Sequence, residues 1–326
     1  MNRFNVRKAA VLGAGVMGAQ IAAHLVNCRV PVVLFDLPAK EGPKSAIAIK
    51  AIDHLKKLKP APLGVADEAA LIRPANYDEH LDQLAGCDLV IEAIAERMDW
   101  KLALYQKIAP HVAPHAILAS NTSGLSITQL SDAIPAEMRA RFCGIHFFNP
   151  PRYMALVELI PTARTHRAML DDLEAWLTTR LGKSIVRAKD TPNFVANRIG
   201  VMSIVAVMHH TARLGLGFDE VDALTGPLIG RPKSATYRTA DVVGLDTLAH
   251  VVGTMQATLA DDPWHAYFKN PDWLAGLIAQ GALGQKTKGG IYRKVGKAIT
   301  VLDLATQAYR PSAGEVAPEV LAILKQ

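Results

Sequence analysis

The segment VLGAGVMGAQIA, residues 11–22, constrains the fold more than any other stretch of the chain. Gly13, Gly15 and Gly18 stand in GxGxxG spacing, with a short apolar run at 8–12 before them and helical periodicity over 16–28 after them. Strand, glycine turn and helix, followed by a second strand at 32–35, form a βαβ unit. Each glycine has a physical purpose: Gly13 permits the tight turn, Gly15 lets backbone approach a pyrophosphate, and Gly18 lets the helix lie close to the strand. Val16 and Met17 open the helix, whose unpaired N–H groups then face the phosphates. Asp36 closes the second strand where this fingerprint places an acid for a ribose 2′-hydroxyl, and its charge repels a 2′-phosphate. The pattern predicts NAD as cofactor rather than NADP.

Further strand-like runs occur at 89–94, 116–120, 142–148, 155–160 and 184–188, with helical patterns between most of them. This alternation predicts a largely parallel, doubly wound sheet. After Asp190 the character changes to long helical patterns such as FVANRIGVMSIVAVMHHTARLG and DWLAGLIAQGAL, with almost no strand signal. A boundary is expected near Asp190-Thr191-Pro192, where Pro192 can begin a helix without losing a needed N–H. The expected fold is a Rossmann-like doubly wound α/β N-terminal domain (1–190), an all-α domain (191–295) for substrate and dimerisation, and a linker-like tail with a short helix (296–326).

Composition narrows the function. Half of the 326 residues are hydrophobic, yet the longest apolar stretch, near 199–208, is broken by Gly200 and Ser203 and stops at His209-His210. That is far short of the ~20 residues that span a bilayer. The start MNRFNVRKAAVLG holds no apolar signal segment, so a cytoplasmic protein without a membrane partner is expected. Cys28, Cys87 and Cys143 are widely spaced among apolar neighbours and read as reduced core thiols, with no metal site. The net charge of +6 suits an anionic ligand, but no dense Lys/Arg block is interleaved with aromatics, which argues against nucleic acid.

The stretch GIHFFNPPRYMALVELI, residues 144–160, sets two titratable groups in otherwise strand-like sequence. If its halves are antiparallel strands joined by a loop at 150–154, Asn149 pairs with Ala155 and the same register sets His146 opposite Glu158. Opposed residues have Cβ atoms about 4.5–5.5 Å apart, so imidazole and carboxylate can touch, whereas a one-residue slip separates them. A carboxylate fixes the imidazole tautomer and stabilises the imidazolium, as a general base near neutral pH requires. The pattern alone leaves two readings open, a catalytic pair for alcohol oxidation beside a nicotinamide, or a structural contact at a strand edge.

Taken in order, GAGVMGAQIA, VIEAIAE, ASNTSGLSIT, HFFNPPRYMALVELI, DTPNFVANRI, GRPKSATYRTADVVGLDT and LGQKTKGGIY cover nearly the whole chain and resemble the L-3-hydroxyacyl-CoA dehydrogenases of fatty-acid β-oxidation. The resemblance implies reversible NAD-dependent oxidation of an L-3-hydroxyacyl-CoA to the 3-ketoacyl-CoA. In that scheme His146 takes the hydroxyl proton and Glu158 orients the imidazole. It further implies that Ser123 bonds the reacting oxygen near the cofactor, that Asn197 joins the catalytic cluster, and that Glu96, Lys101, Asn149 and Lys286 surround the nicotinamide ribose and its neighbours. Glu92, inside a strand, reads as structural. Lys56, Lys57 and Lys59 lie where the family binds the coenzyme A nucleotide, although clustered lysines are also what a solvated face looks like. A helix N-cap for SITQLSDAI is better supplied by Ser126 than by Ser123.

Two departures stand out: Gly124 follows Ser123 where many members carry serine, and Asn193 replaces the glycine of the usual Pro-Gly-Phe. The segment 230–247 and the tail beyond Tyr292 look most like the subgroup fused to an enoyl-CoA hydratase, but no hydratase-sized segment is present and no hydratase activity is expected. A homodimer through the helical domain is expected, as in the family. The rivals are another two-domain NAD dehydrogenase acting on a free hydroxyacid, and a catalytically idle NAD-binding protein like the lens crystallin relatives of this family.

Overall fold

The computed structural model describes residues 4–314, 316, 318, 321 and 322. The chain divides into two compact units between Val195 and Ala196.

The first unit is built on an eight-stranded sheet. In chain order its elements are β1 (Ala9–Leu12), α1 (Val16–Asn27), β2 (Val32–Asp36), α2 (Ala46–Leu55), β3 (Ile72–Asn76), β4 (Leu89–Glu92), α3 (Met98–Ile108), β5 (Ile117–Ser120), α4 (Ile127–Asp132), β6 (Phe142–Phe147), β7 (Leu156–Pro161), α5 (Arg167–Leu181) and β8 (Ser184–Arg187). The strand order is β3-β2-β1-β4-β5-β6-β7-β8, parallel throughout except where β6 meets β7. Central strands such as β1, Ala-Ala-Val-Leu, are buried along their whole length, because a parallel sheet covered on both faces needs apolar residues at every position. Alternation sorts them: Ala9 and Val11 pack under α1, α2 and α5, while Ala10 and Leu12 join the core beneath α3 and α4.

Strand β3 escapes the sequence reading because its residues, Ile-Arg-Pro-Ala-Asn, carry one large apolar side chain and a proline. It sits at the sheet edge, paired only with β2, where Pro74 removes no needed ladder bond.

The second unit is helical, as expected, with α6 (Ala196–Leu214), α7 (Phe218–Thr225), α8 (Tyr237–Val243), α9 (Leu245–Thr258) and α10 (Asp272–Ala279) around a core that includes Met208, Phe218, Tyr237, Met255 and Phe268. Two expectations are corrected. Pro192 does not start α6, since residues 191–195 form a turn and the helix begins at Ala196. Nor is the segment from Gly296 only a linker-like tail, because β9 (Tyr292–Val295), β10 (Ala298–Asp303) and β11 (Ala308–Pro311) make a three-stranded antiparallel sheet. Strands β9, Tyr-Arg-Lys-Val, and β11, Ala-Tyr-Arg-Pro, are short and polar, whereas β10, Ala-Ile-Thr-Val-Leu-Asp, buries Val301 and Leu302 in the core of this unit, and side-chain bonds from the helices add to that packing. Asp241 accepts the N–H groups of Ile291 and Tyr292, Asp222 accepts the Tyr292 hydroxyl, and Asp219 pairs with Arg310. The short helix expected beyond lies mostly outside the described residues. No described helix is long and apolar enough to cross a membrane.

Candidate active site

Because the sheet is parallel through β6, the carboxyl ends of β1, β2, β4, β5 and β6 open on one side, where doubly wound folds bind ligands. The glycine turn leads out of β1. Gly13 has φ +102°, and a Cβ there would stand 2.8 Å from the Ala93 carbonyl oxygen; a Cβ on Gly18 would stand 1.8 Å from the Gly13 oxygen. Both positions therefore need glycine. Nothing lies within 4 Å of a Cβ built on Gly15, and Val16 is largely exposed, so the turn is open to a ligand.

Asp36, at the end of β2, accepts from Ala14 N–H at 2.6 Å and from Leu37 N–H at 2.7 Å. Beside it a cavity of about 540 Å³ is lined by Gly13, Gly15, Leu37, Tyr77, Trp100 and Asp36 itself. An open glycine turn, a carboxylate at the strand end and an apolar wall form a cradle that fits a dinucleotide.

The hairpin of β6 and β7 has the expected register, His146 opposite Glu158. His146 Nδ1 lies 2.7 Å from Glu158 Oε2, and both residues are buried. With the carboxylate as acceptor, Nδ1 carries the proton and Nε2 presents its lone pair to Ser123 Oγ, 3.1 Å away. Phe148 and Phe194 contact the imidazole edge-on at 4.5 Å and 5.7 Å between ring centroids, and Val195 N–H donates to Glu158 Oε1 at 2.9 Å.

Ser123 is held by Glu96, whose Oε1 accepts the Thr122 hydroxyl and the N–H groups of Ser123 and Gly124 at 2.5, 2.9 and 2.8 Å. Ser126, as expected, caps α4 by accepting Gln129 N–H. Lys101 lies elsewhere than a residue touching a ligand would. Its side chain is 1% exposed, its ammonium bonds Glu92 at 2.5 Å, and Glu96 Oε2 is 3.8 Å away. It stands behind the turn that carries Ser123, neutralising a carboxylate buried inside β4.

Asn149 is exposed and accepts from Gln20 Nε2 at 3.2 Å. Lys56, Lys57 and Lys59 are all exposed, with Lys56 paired to Asp53. A smaller cavity of about 250 Å³ nearby is lined by Gly15, Gln20, Ala51, His54 and Leu58, not by these lysines. Asn197 and Lys286 belong to the second unit, where Asn197 is the second residue of α6 and Lys286 pairs with Asp246 at 2.6 Å. Sequence reasoning missed Asp190 and Val195. Asp190 accepts from Ser126 Oγ and from the N–H groups of Ile127 and Thr128, a cap supplied from a distant segment that no local pattern announces.

Comparison with known proteins gives the family. The sequence profile of the 3-hydroxyacyl-CoA dehydrogenase NAD binding domain matches residues 8–191, and that of the C-terminal domain of the same family matches 194–294. A probable 3-hydroxyacyl-CoA dehydrogenase of Bacillus subtilis is 40% identical over 320 residues, covering 94% of this chain and 40% of that one. A probable 3-hydroxyacyl-CoA dehydrogenase of Deinococcus radiodurans is 42% identical over 290 residues, covering 89% of this chain and 83% of that one. The chain thus spans less than half the length of the first relative and most of the second. Among solved structures, the (S)-3-hydroxybutyryl-CoA dehydrogenase from Ralstonia eutropha superposes with a TM-score of 0.73 at 31% identity, over 89% of this chain and all of that one. With both of its domains matched over most of their length, the chain belongs to the 3-hydroxyacyl-CoA dehydrogenase family.

Proposed function

We propose that this protein interconverts an L-3-hydroxyacyl-CoA and its 3-ketoacyl-CoA with NAD, through His146 and Glu158. The observation that carries the reading is the line Glu158–His146–Ser123, 2.7 and 3.1 Å in its two steps, at the carboxyl end of a sheet whose first turn is a dinucleotide cradle. NAD supplies the hydride acceptor for C3 of the substrate. Gly13, Gly15, Gly18 and the opening of α1 at Val16 and Met17 would hold its pyrophosphate, and Asp36 its adenosine ribose, with Leu37 and Trp100 as apolar walls for the base. Glu96 keeps Ser123 in place and leaves its side chain 44% exposed, so its carboxylate can also meet a ribose hydroxyl.

The proton chemistry follows from the tautomer. His146 Nε2 takes the proton of the substrate hydroxyl as the hydride leaves, and Glu158 stabilises the imidazolium that results. Ser123 Oγ donates to the reacting oxygen once substrate displaces its bond to Nε2. In the reverse direction His146 returns the proton. Asn197 and Lys286 are assigned to the same reaction by the family resemblance. As part of the same reading the protein works in the cytoplasm as a homodimer, which the exposed Ile199, Leu214, Leu228 and Ile229 of the second unit support.

The test is NADH consumption with acetoacetyl-CoA, comparing the parent protein with His146→Ala and Glu158→Gln, and with free acetoacetate as control. Turnover only with the thioester, lowered ~10²–10⁴-fold by His146→Ala, is expected. Undiminished turnover in His146→Ala would remove the assigned base, and turnover of free acetoacetate would favour a hydroxyacid dehydrogenase.

A further inference from the structure

Residues 190–195 close the first unit, and both ends of this segment are anchored. At one end Asp190 accepts the Ser126 hydroxyl at 2.8 Å and the N–H groups of Ile127 and Thr128 at 2.9 and 2.8 Å, which ties it to the start of α4. At the other end Val195 N–H donates to Glu158 Oε1 at 2.9 Å, and Phe194, 2% exposed, sets its ring edge-on to His146 at 60°. The acid–base pair is thus held from outside its own hairpin. The holding group is a turn.

That turn is unusual in its backbone. Asn193 has φ +60° and Phe194 has φ +49°, two consecutive left-handed residues, neither of them glycine. An L side chain crowds its own carbonyl in this region, and asparagine tolerates it better than any β-branched residue. A bulky residue such as Phe194 stays there only where its surroundings over-determine it. Phe194 N–H bonds the Thr191 carbonyl at 2.9 Å and its ring is locked in the core against α3 and α4.

The Asn193 side chain does something different from a ligand or a catalytic group. It is 5% exposed, its Nδ2 has no hydrogen-bond partner, and its Oδ1 stands 3.8 Å from the point where a Cβ on Gly124 would be. The amide therefore gives the pair no bond. What Asn193 contributes is a backbone direction, since its φ decides where Phe194 and then Val195 N–H emerge. With Asp190 fixed, a negative φ at 193 would turn both away from the hairpin. Glu158 would lose one donor and His146 one wall of its slot.

We propose that Asn193 is a positioning residue for the His146–Glu158 pair, acting through the left-handed turn that delivers Phe194 to the imidazole and Val195 N–H to the carboxylate. This rests on the reading of His146 and Glu158 as the acid–base pair. Its signature is a split in the kinetics. The glycine turn and Asp36, which would hold most of the cofactor, lie on β1 and β2, several strands away in the sheet, and near residue 193 the cofactor site is reached through the Gly124 turn alone, so NADH binding should change little.

The experiment is a series at one position, Asn193→Gly, Asn193→Ala and Asn193→Val, assayed with NADH and acetoacetyl-CoA beside His146→Ala. Glycine adopts the left-handed φ without steric cost, alanine with some, valine with most. The expected order of kcat is glycine above alanine above valine. Valine should lie ~10–100-fold below the parent, the range for loss of a hydrogen bond to a buried charge, while KM for NADH stays within about twofold. Alanine serves should valine fail to fold. A flat series, or glycine as impaired as valine, would overturn the inference while a dead His146→Ala left the catalytic reading standing. Full activity in His146→Ala would remove both.

Discussion

Replacing Lys101 by methionine should be among the most destabilising single changes available in the first unit. Glu92 lies inside β4 with no exposed surface and accepts from four donors: Ile94 N–H at 2.8 Å, Lys101 Nζ at 2.5 Å, Tyr105 Oη at 2.9 Å and Ser120 Oγ at 2.7 Å. Among the described residues only Lys101 pairs a balancing charge with it, and Lys101 is itself 1% exposed. Methionine keeps most of the volume but strands a carboxylate in the core, for which the cost is about 3–5 kcal/mol. Adding Glu92→Gln removes the second charge. The hydroxyls of Tyr105 and Ser120 can rotate to accept from the new amide, so the double variant should lie within about 1–2 kcal/mol of the parent, well below the sum of the two single changes, each of which strands one buried charge.

Hydrogen exchange of the β4 and β5 amides across a guanidinium series isolates the first unit and gives all four corners of the cycle. If Lys101→Met alone lies within about 1 kcal/mol of the parent, the buried charge is not balanced as described and Lys101 must be more accessible than its contacts indicate.

Three further outcomes follow. His24 is buried with Nε2 on the Leu181 carbonyl, and burial first, then the nearby Lys183, brings its pKa down from 6.5 to about 4. The unfolded chain therefore takes up this proton first. Stability from His24 is complete above pH 6.5 and falls by up to about 3 kcal/mol as pH drops toward 4. Denaturation of His24→Leu should show a shallower acid slope, and equal slopes would refute the assignment. Asp36→Asn, which keeps the shape and removes the charge, should narrow the preference for NADH over NADPH at least about tenfold in kcat/KM. An unchanged ratio would place specificity elsewhere. Light scattering at micromolar concentration should give twice the 35.1 kDa chain mass, and a value near 35.1 kDa would defeat the homodimer.

Much of the site was legible because it is local. GAGVMG specifies a turn whose glycines are required by contacts within the same βαβ unit, and Asp36 follows from strand length. The His146–Glu158 pairing was also readable, because a hairpin with a short loop has a register that arithmetic along the chain can reach. Asn193 read only as a departure from the usual glycine, and its left-handed φ of +60° belongs to what the structure adds.

Other features depend on segments far apart in sequence, and there the tertiary structure decided. Glu92 reads as an awkward acid in a strand until Lys101 folds over it from α3, and Lys101 reads as a neighbour of the nicotinamide ribose until the same contact buries it. Of the strands at 292–311, β9 and β11 are too short and polar to read, and carboxylates on α7 and α8 bond them from dozens of residues away. The physical division is one of range. Backbone conformation, hydrophobic period and hairpin register are encoded over a few residues and can be read from them. The burial and partners of a charged side chain are properties of the packed chain, fixed only when distant elements meet.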